Sequence, residues 1–277
     1  MEKDFFKFLQ LMKTNCFLYL MVMALTALVQ GCGNRQKESL TDLVVVEQTD
    51  SVQGNHEENS YCWASFKVDV PVNGPLQLVD SVLALVNREV YKMCEYCIEF
   101  DESPDEYVEY SEKEMFTRDG EGLVRHYMEK YKPLIADSLW NTFSLELKME
   151  AQTEQYVTYG MEFFHCGANC GSEKYYYTFS KIDGHQVREI ITHQNLVQFF
   201  QDHPEYKTVK ADPWAGELSW EFSEAYEFSN SQFGLLGQHF TLAINEVVSH
   251  YFLVDIPYTA IHPYLTPEAQ ALSPHGD

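Results

Sequence analysis

The alternation of apolar and polar residues predicts the first two elements of the folded chain. Residues 62–70 alternate with a period of two, which is the pattern of a half-buried strand. Residues 73–75, Asn-Gly-Pro, break this alternation. Beyond the break, apolar residues recur at helical spacing and predict a helix that reaches Cys94 or Cys97.

The rest of the chain continues with both kinds of pattern. Apolar spacing predicts a second helix that begins near Gly120 and ends near Pro133, and a third helix over residues 192–202. Asp183-Gly184 predicts a tight hairpin turn. Strand patterns, rich in aromatic and β-branched residues, occupy residues 143–150, 155–164, 174–181, 233–243 and 251–256.

The order of these elements predicts the fold class. Strands and helices form clusters and do not alternate strictly, and the hairpins between strands are short. This favours an α+β fold, in which an antiparallel β-sheet packs with a few helices.

The amino-terminal residues have the pattern of a secretory signal. Residues 16–29 form an uncharged run of 14, which suits a signal core and is short for a membrane-spanning helix. A branched apolar residue and a small residue precede Cys32 at positions −3 and −1, as in lipoprotein signals. We expect residues 1–31 to be removed, with Met1 or Met12 as the start, and Cys32 to be acylated. The alternative is an ordinary signal peptide with an incidental cysteine.

Residues 32–59 are mostly polar and are predicted to form a flexible tether. For the apolar stretch at residues 43–46, the alternative is a short edge strand. Gly33 follows the acylated cysteine where an Asp commonly marks inner-membrane retention. We therefore expect a lipid anchor in the outer membrane, with the domain in the periplasm or on the cell surface.

The charge balance narrows the range of partners. The chain has 19 Lys and Arg residues against 42 Asp and Glu residues, a net charge of −23. An acidic excess of this size repels phosphate backbones and disfavours nucleic-acid binding. It also disfavours adsorption to anionic lipid headgroups, which leaves a covalent anchor as the attachment to the membrane.

Several local features occur in an order typical of a known family. They are a strand and long helix over residues 66–90, a strand entering a Gly-Ala turn over 156–168, Tyr177-Thr178-Phe179, Asp183-Gly184, Phe233-Gly234-Leu235 and Val254-Asp255-Ile256-Pro257-Tyr258. Together they span residues 60–265. This part of the chain resembles the RsiV-like extracytoplasmic domain, domain-of-unknown-function family 3298, with the smaller sheet domain that usually precedes it.

The resemblance implies an N-terminal α+β subdomain over residues 60–184 and a C-terminal RsiV-like subdomain over residues 185–277. It also implies an envelope protein that binds a ligand, since relatives include a lysozyme-sensing anti-sigma factor and an accessory region of a cell-wall deacetylase. The sigma-binding and deacetylase roles of these relatives are not expected here. The sequence shows neither a membrane-spanning helix behind a cytoplasmic domain nor a deacetylase catalytic domain. Asn169 also stands where relatives commonly have a histidine.

Cysteine spacing suggests one disulfide. Cys166 and Cys170 lie across a glycine-bearing turn, and an oxidising envelope favours a bond between them. The alternative is a zinc site that combines them with His165 and the Cys94-x-x-Cys97 pair. We expect no metal and no cofactor. The pairing of the remaining cysteines is left open: Cys62, Cys94 and Cys97.

Aromatic residues are the candidate ligand contacts. Three consecutive tyrosines on a strand point to both faces of a sheet, so at least one is expected near solvent. Exposed aromatic rings beside carboxylates suit sugar rings and protein partners. The candidates are Tyr175, Tyr176, Tyr177, Trp214 and Trp220.

These features favour a lipid-anchored, non-catalytic binding module of the cell envelope. Its ligand is expected to be a protein, such as a lysozyme-like one, or a wall or polysaccharide fragment. No nucleophile, phosphate-loop or dinucleotide motif occurs in the sequence. The alternatives are an envelope carbohydrate hydrolase that uses unrecognised Asp or Glu residues, and a structural subunit of an envelope complex.

Overall fold

A five-stranded sheet is the largest element of the computed structural model, which describes residues 42–55, 61–98, 122–139, 141–210, 219–247 and 250–273. Its strands lie in chain order: β1 (Val44–Gln53), β2 (Trp63–Asn73), β3 (Thr142–Gln152), β4 (Tyr156–Cys166) and β5 (Cys170–Ser180). Neighbouring strands are antiparallel except β2 and β3, which are parallel because a helical crossover connects them.

Two helices, α1 (Leu76–Ile98) and α2 (Leu123–Ser138), share a hydrophobic core with one face of this sheet. Alternate residues of β2, among them Phe66 and Val68, belong to the same buried cluster as Leu78 and Val82 of α1. Each large apolar side chain buried in this way contributes roughly 1.5–3 kcal/mol to folding. The apolar residues at the two-residue period of β2 and those at the helical period of α1 therefore belong to one core.

The carboxy-terminal part builds a second buried cluster. It begins with α3 (His193–Asp202) and a short ribbon of β6 (Thr208–Lys210) and β7 (Ser219–Glu221). An antiparallel sheet follows, made of β8 (Phe233–Leu236), β9 (His239–Val247) and β10 (His250–Pro257), with β9 in the centre. The short helices α4 (Tyr258–Ile261) and α5 (Pro267–Leu272) end the described part.

The three-stranded sheet contacts the opposite face of β4 and β5. The hydroxyl of Thr158 donates to the backbone oxygen of Leu235 at 2.7 Å. The side-chain amide of Asn245 makes two bonds to the backbone of Lys174, at 2.8 and 2.9 Å. Strands β4 and β5 are therefore covered on both faces. Strands β1 and β5 form the two edges of the five-stranded sheet.

The α+β class predicted from the sequence is confirmed, because the sheets are mostly antiparallel and pack with helices. Helix α1 ends at Ile98, in agreement with the predicted end near Cys97. Helix α3 follows Thr192, whose hydroxyl accepts a hydrogen bond from the backbone N–H of Asn195 at 3.2 Å. In the part of the chain that the structure describes, no helix is both long and apolar enough to cross a bilayer.

The predicted tether over residues 32–59 is wrong for residues 44–53. These residues form β1, which pairs with β2 along its whole length, so the edge-strand alternative describes the structure. Hydrogen bonds of its backbone to β2 hold this strand in the sheet. Most of its side chains are polar, which is tolerated because its outer face is exposed. Residues 32–41 and 56–59 lie outside the described residues.

Two further boundaries differ from the sequence prediction. Helix α2 continues through Pro133 to Ser138, because Ile135 and Leu139 beyond the proline are buried in the core. The strand predicted over residues 233–243 is two strands, separated by a turn in which Gly237 has a φ of 49°. The division of the folded part at residue 184 stays a prediction.

Candidate functional site

A pocket lies between the last turns of α1 and the ends of β3, β4 and β5. We call it the α1 pocket, and its volume is about 160 Å³. The helix contributes Glu89, Lys92, Met93 and Tyr96, which have the spacing of one helix face. The sheet contributes residues at the end of the strands that leads to the β4–β5 turn: Leu145, Met161, Phe163, Glu173 and Tyr175.

The register of β4 and β5 sets the sheet side of the pocket. Met161 pairs with Tyr175, and Phe163 pairs with Glu173, so all four side chains lie on the helix-covered face. The Tyr96 ring meets the ring of Phe163 edge-on, with centroids 5.4 Å apart. Tyr96 is nevertheless 40% exposed, which makes it the most exposed aromatic residue of the pocket among those described.

Charged groups surround this apolar surface. The carboxylate of Glu89 is only 7% exposed, and it accepts a hydrogen bond from Nε of Arg88 at 2.7 Å. Nζ of Lys92 lies 3.7 Å from the same oxygen. On the sheet side, the hydroxyl of Tyr175 donates to Glu173 at 2.7 Å.

The two tyrosines of the pocket are proton donors at neutral pH. Burial raises the pKa of Tyr175, and its hydrogen bond to Glu173 raises it further. Burial and the charge of Glu173 also raise the pKa of Tyr96. Both hydroxyl groups therefore stay protonated, while the carboxylates beside them are acceptors.

This arrangement combines an apolar floor with a small number of fixed polar groups, which is the usual composition of a small-molecule site. Sites for whole drug-sized ligands measure about 300–1,000 Å³. The α1 pocket is smaller, at about 160 Å³. It therefore accommodates one ring or one side chain of a larger ligand.

Only one of the five predicted ligand-contact aromatics lies in this pocket. Tyr175 lines it and is half-buried. Tyr176, Tyr177 and Trp220 are buried, with exposures of 2%, 9% and 4%, so their prediction as ligand contacts is wrong. Trp214 lies outside the described residues.

The physical reason for this burial is tertiary packing. Tyr176 lies under the three-stranded sheet, where Gly234 leaves room for its ring. Tyr177 belongs to the core beneath α1, and the guanidinium of Arg88 lies 5.8 Å from its ring centroid. Trp220 is enclosed by other rings, with Phe222 6.2 Å away.

The sequence analysis missed the helix side of the pocket. Positions 89, 92, 93 and 96 continue the face of α1, but two of them are charged. A change from purely apolar to mixed residues on one helix face is the signal that could have identified this part of α1. There the two cations Arg88 and Lys92 compensate the charge of the buried Glu89.

The cysteines fall into two groups. Cys166 and Cys170 face each other across the β4–β5 turn, and a disulfide joins them. Cys62, Cys94 and Cys97 are buried free thiols. Within the described ranges, no group of three His, Cys, Asp or Glu residues is arranged to hold a metal ion. The zinc alternative also requires the two sulfur atoms that form the disulfide.

Two proteins of one family are among the solved structures that resemble this chain. A protein of family DUF3298 from Pseudomonas aeruginosa PAO1 has a TM-score of 0.48 and 11% identity, and the match covers 85% of this chain and 98% of that one. A member of the same family from Bacteroides fragilis NCTC 9343 has a TM-score of 0.44 and 14% identity, covering 83% and 96%. No protein-family model and no curated protein matches the sequence. Both TM-scores are below 0.5, so these likenesses do not bear on the function of this chain.

Proposed function

We propose that this chain is an exported lipoprotein whose folded domain is a non-catalytic binding module of the cell envelope. Acyl chains on Cys32 hold it in the membrane, in our proposal the outer one. The observation that supports binding is the α1 pocket, with its exposed Tyr96 over an apolar floor. The ligand is an envelope protein, such as a lysozyme-like one, or a fragment of wall or polysaccharide.

The anchor has a physical basis that the mutation Cys32→Ser tests directly. Each buried acyl CH₂ contributes about 0.8 kcal/mol, and several chains on one cysteine give stable attachment. Without the thiol we expect the protein in the soluble fraction after cell lysis. Retention of the variant in the membrane, or an intact mass that includes residues 1–31, contradicts the anchor.

The way in which the carboxylates of the pocket are held supports the proposed non-catalytic role. Glu89 is fixed by two cations, and Glu173 is fixed by a phenol, so both are positioned as hydrogen-bond acceptors. This arrangement favours recognition over hydrolysis. Turnover of an envelope glycan by the purified protein, abolished by replacing either glutamate, contradicts this role and supports a hydrolase.

Binding is tested with the full chain purified in detergent. The protein is mixed with isolated cell-wall material and, separately, crosslinked in native membranes to capture protein partners. We expect retention by one of these, reduced in Tyr96→Ala and unchanged in Tyr61→Ala. Tyr61 is the matched control because it is 76% exposed and does not line the pocket. Retention by neither contradicts the proposed function.

A further inference from the structure

We infer that the α1 pocket binds one neutral pyranose ring, a single sugar unit of an envelope polysaccharide. This inference rests on the proposed binding function and specifies its ligand. The observations behind it are the size of the pocket, the charges in and beside it, and the hydrogen-bonding groups around its apolar surface.

Size limits the ligand to a single ring. The pocket measures about 160 Å³. This is about half of roughly 300 Å³, the lower limit for sites that enclose a whole drug-sized ligand. The space therefore suits one six-membered ring with its substituents, and a larger ligand would extend beyond the pocket. The neighbouring units of a polysaccharide chain would lie outside the pocket.

The charges in and beside the pocket favour a neutral ligand. Glu89 lies against two cations, with Nε of Arg88 at 2.7 Å and Nζ of Lys92 at 3.7 Å, whereas Glu173 accepts a hydrogen bond from Tyr175. The charged residues that line the pocket are one cation and two carboxylates, with Arg88 beside them. A cationic side chain would compete with Arg88 and Lys92 for Glu89, and an anionic group would face both glutamates. A neutral group meets neither penalty.

The polar groups match a ligand that has hydroxyl groups around an apolar face. Sugar C–H groups carry a slight positive charge and pack on aromatic rings, whose faces are negative. Tyr96 and Phe163 provide such rings, with Met93 and Met161 beside them. Carboxylates accept hydrogen bonds from sugar hydroxyls, and the ammonium of Lys92 donates to them. The side chain of Lys92 is 62% exposed, so its ammonium group is accessible to a ligand.

The experiment is calorimetric titration of the full chain with chitotetraose, cellotetraose and maltotetraose. The detergent is a polyoxyethylene ether, since a detergent with a sugar headgroup would compete. We expect at least one oligosaccharide to bind, and Tyr96→Ala to weaken that binding tenfold or more. Tyr61→Ala, the exposed control outside the pocket, leaves the affinity unchanged. Tyr96→Phe keeps the ring, and we expect it to retain most of the affinity and the fold.

Salt and charge test the neutrality of the ligand. Binding of a neutral ring is expected to change less than twofold between low and high salt, in the wild type and in Lys92→Gln. If the cationic glucosamine tetramer binds more tightly than chitotetraose, with an affinity that falls steeply with salt and rises in Lys92→Gln, the pocket takes a cationic ligand and the inference is overturned. If an oligosaccharide binds but Tyr96→Ala has no effect, the sugar lies elsewhere and the inference is also overturned.

The failure of this inference and that of the proposed function give different results. If the chain binds none of the three oligosaccharides but is still retained by envelope material or an envelope protein, the sugar assignment is overturned and the binding module stands. If the chain is retained by nothing from the envelope, both are overturned.

Discussion

The ion pair between Lys181 and Asp42 gives the sharpest stability prediction. The side chain of Lys181 is 0% exposed, and its Nζ lies 2.7 Å from Oδ1 of Asp42, whose own side chain is 74% exposed. In the mutation Asp42→Asn the amide oxygen still accepts a hydrogen bond, but the negative charge is lost. The buried ammonium then has no opposite charge at this contact.

The expected cost follows from this geometry. Removing one partner of a fully buried pair costs about 3–5 kcal/mol. Because Asp42 is mostly solvated, we expect less, about 2 kcal/mol, which is also the usual strength of a hydrogen bond to a charged group. For a domain of this size that lowers Tm by roughly 6 °C. Lys181→Met, which replaces the buried charge by an apolar chain, is expected to be near neutral.

The assay is thermal and urea unfolding of the four variants of a double-mutant cycle. In the Lys181→Met background, Asp42→Asn should cost almost nothing, because no charge remains to be compensated. Glu154→Gln is the control, since Glu154 is an exposed carboxylate outside the ion pairs of the described chain. The reasoning is refuted if Asp42→Asn unfolds like this control, or if it costs the same with and without Lys181.

Three other predictions concern the remaining titratable and conformational features. Hydrogen bonds to Glu268 and Asp183 raise the pKa of His185, so their stabilisation is complete below the unfolded value of about 6.5 and is lost as pH rises through the folded value. Glu268→Gln should therefore lower Tm at pH 6, by the equivalent of at most about 1 kcal/mol for so exposed a pair, and have little effect at pH 9. Gly184→Ala should destabilise far more than Gly122→Ala: both have a φ of 74°, but only at Gly184 would a Cβ lie 2.4 Å from backbone in the first turn of α1. Burial raises the pKa of Cys94 to about 12, so iodoacetamide at pH 8 should modify it only in denaturant, and modification of the native protein would show that this thiol is accessible.

Elements whose apolar residues recur at a regular spacing could be predicted from the sequence, because the burial of one face produces that spacing. The extent of α1 and the alternation in β2 are examples, since each has one face in the same core. The continuation of α2 past Pro133 could not be predicted, because it depends on the burial of Ile135 and Leu139 against other elements. The strand β1 was predicted only as the alternative to a tether, because most of its residues are polar and its pairing uses backbone groups, which carry no sequence signal.

The candidate site also contains residues that could be predicted from the sequence and residues that could not. Tyr175 could be identified as a candidate because alternation on a strand places some of three tyrosines near solvent. That Tyr176 and Trp220 are buried depends on a second sheet and on surrounding rings distant in sequence. Tyr96 could not be identified from the sequence, because the pocket forms only where α1 packs over β4 and neither element alone makes one.

The position of β1 determines how the domain would respond to mechanical load. In the proposed anchored protein, tension between the membrane and a bound ligand enters the described fold at Asp42, two residues before the strand begins at Val44. Antiparallel ladder bonds run perpendicular to the strands, so a pull along β1 loads its bonds to β2 together and does not open them one by one. Strand β1 lies at an edge of the sheet, yet its backbone hydrogen bonds to β2 would together resist a pull along the strand.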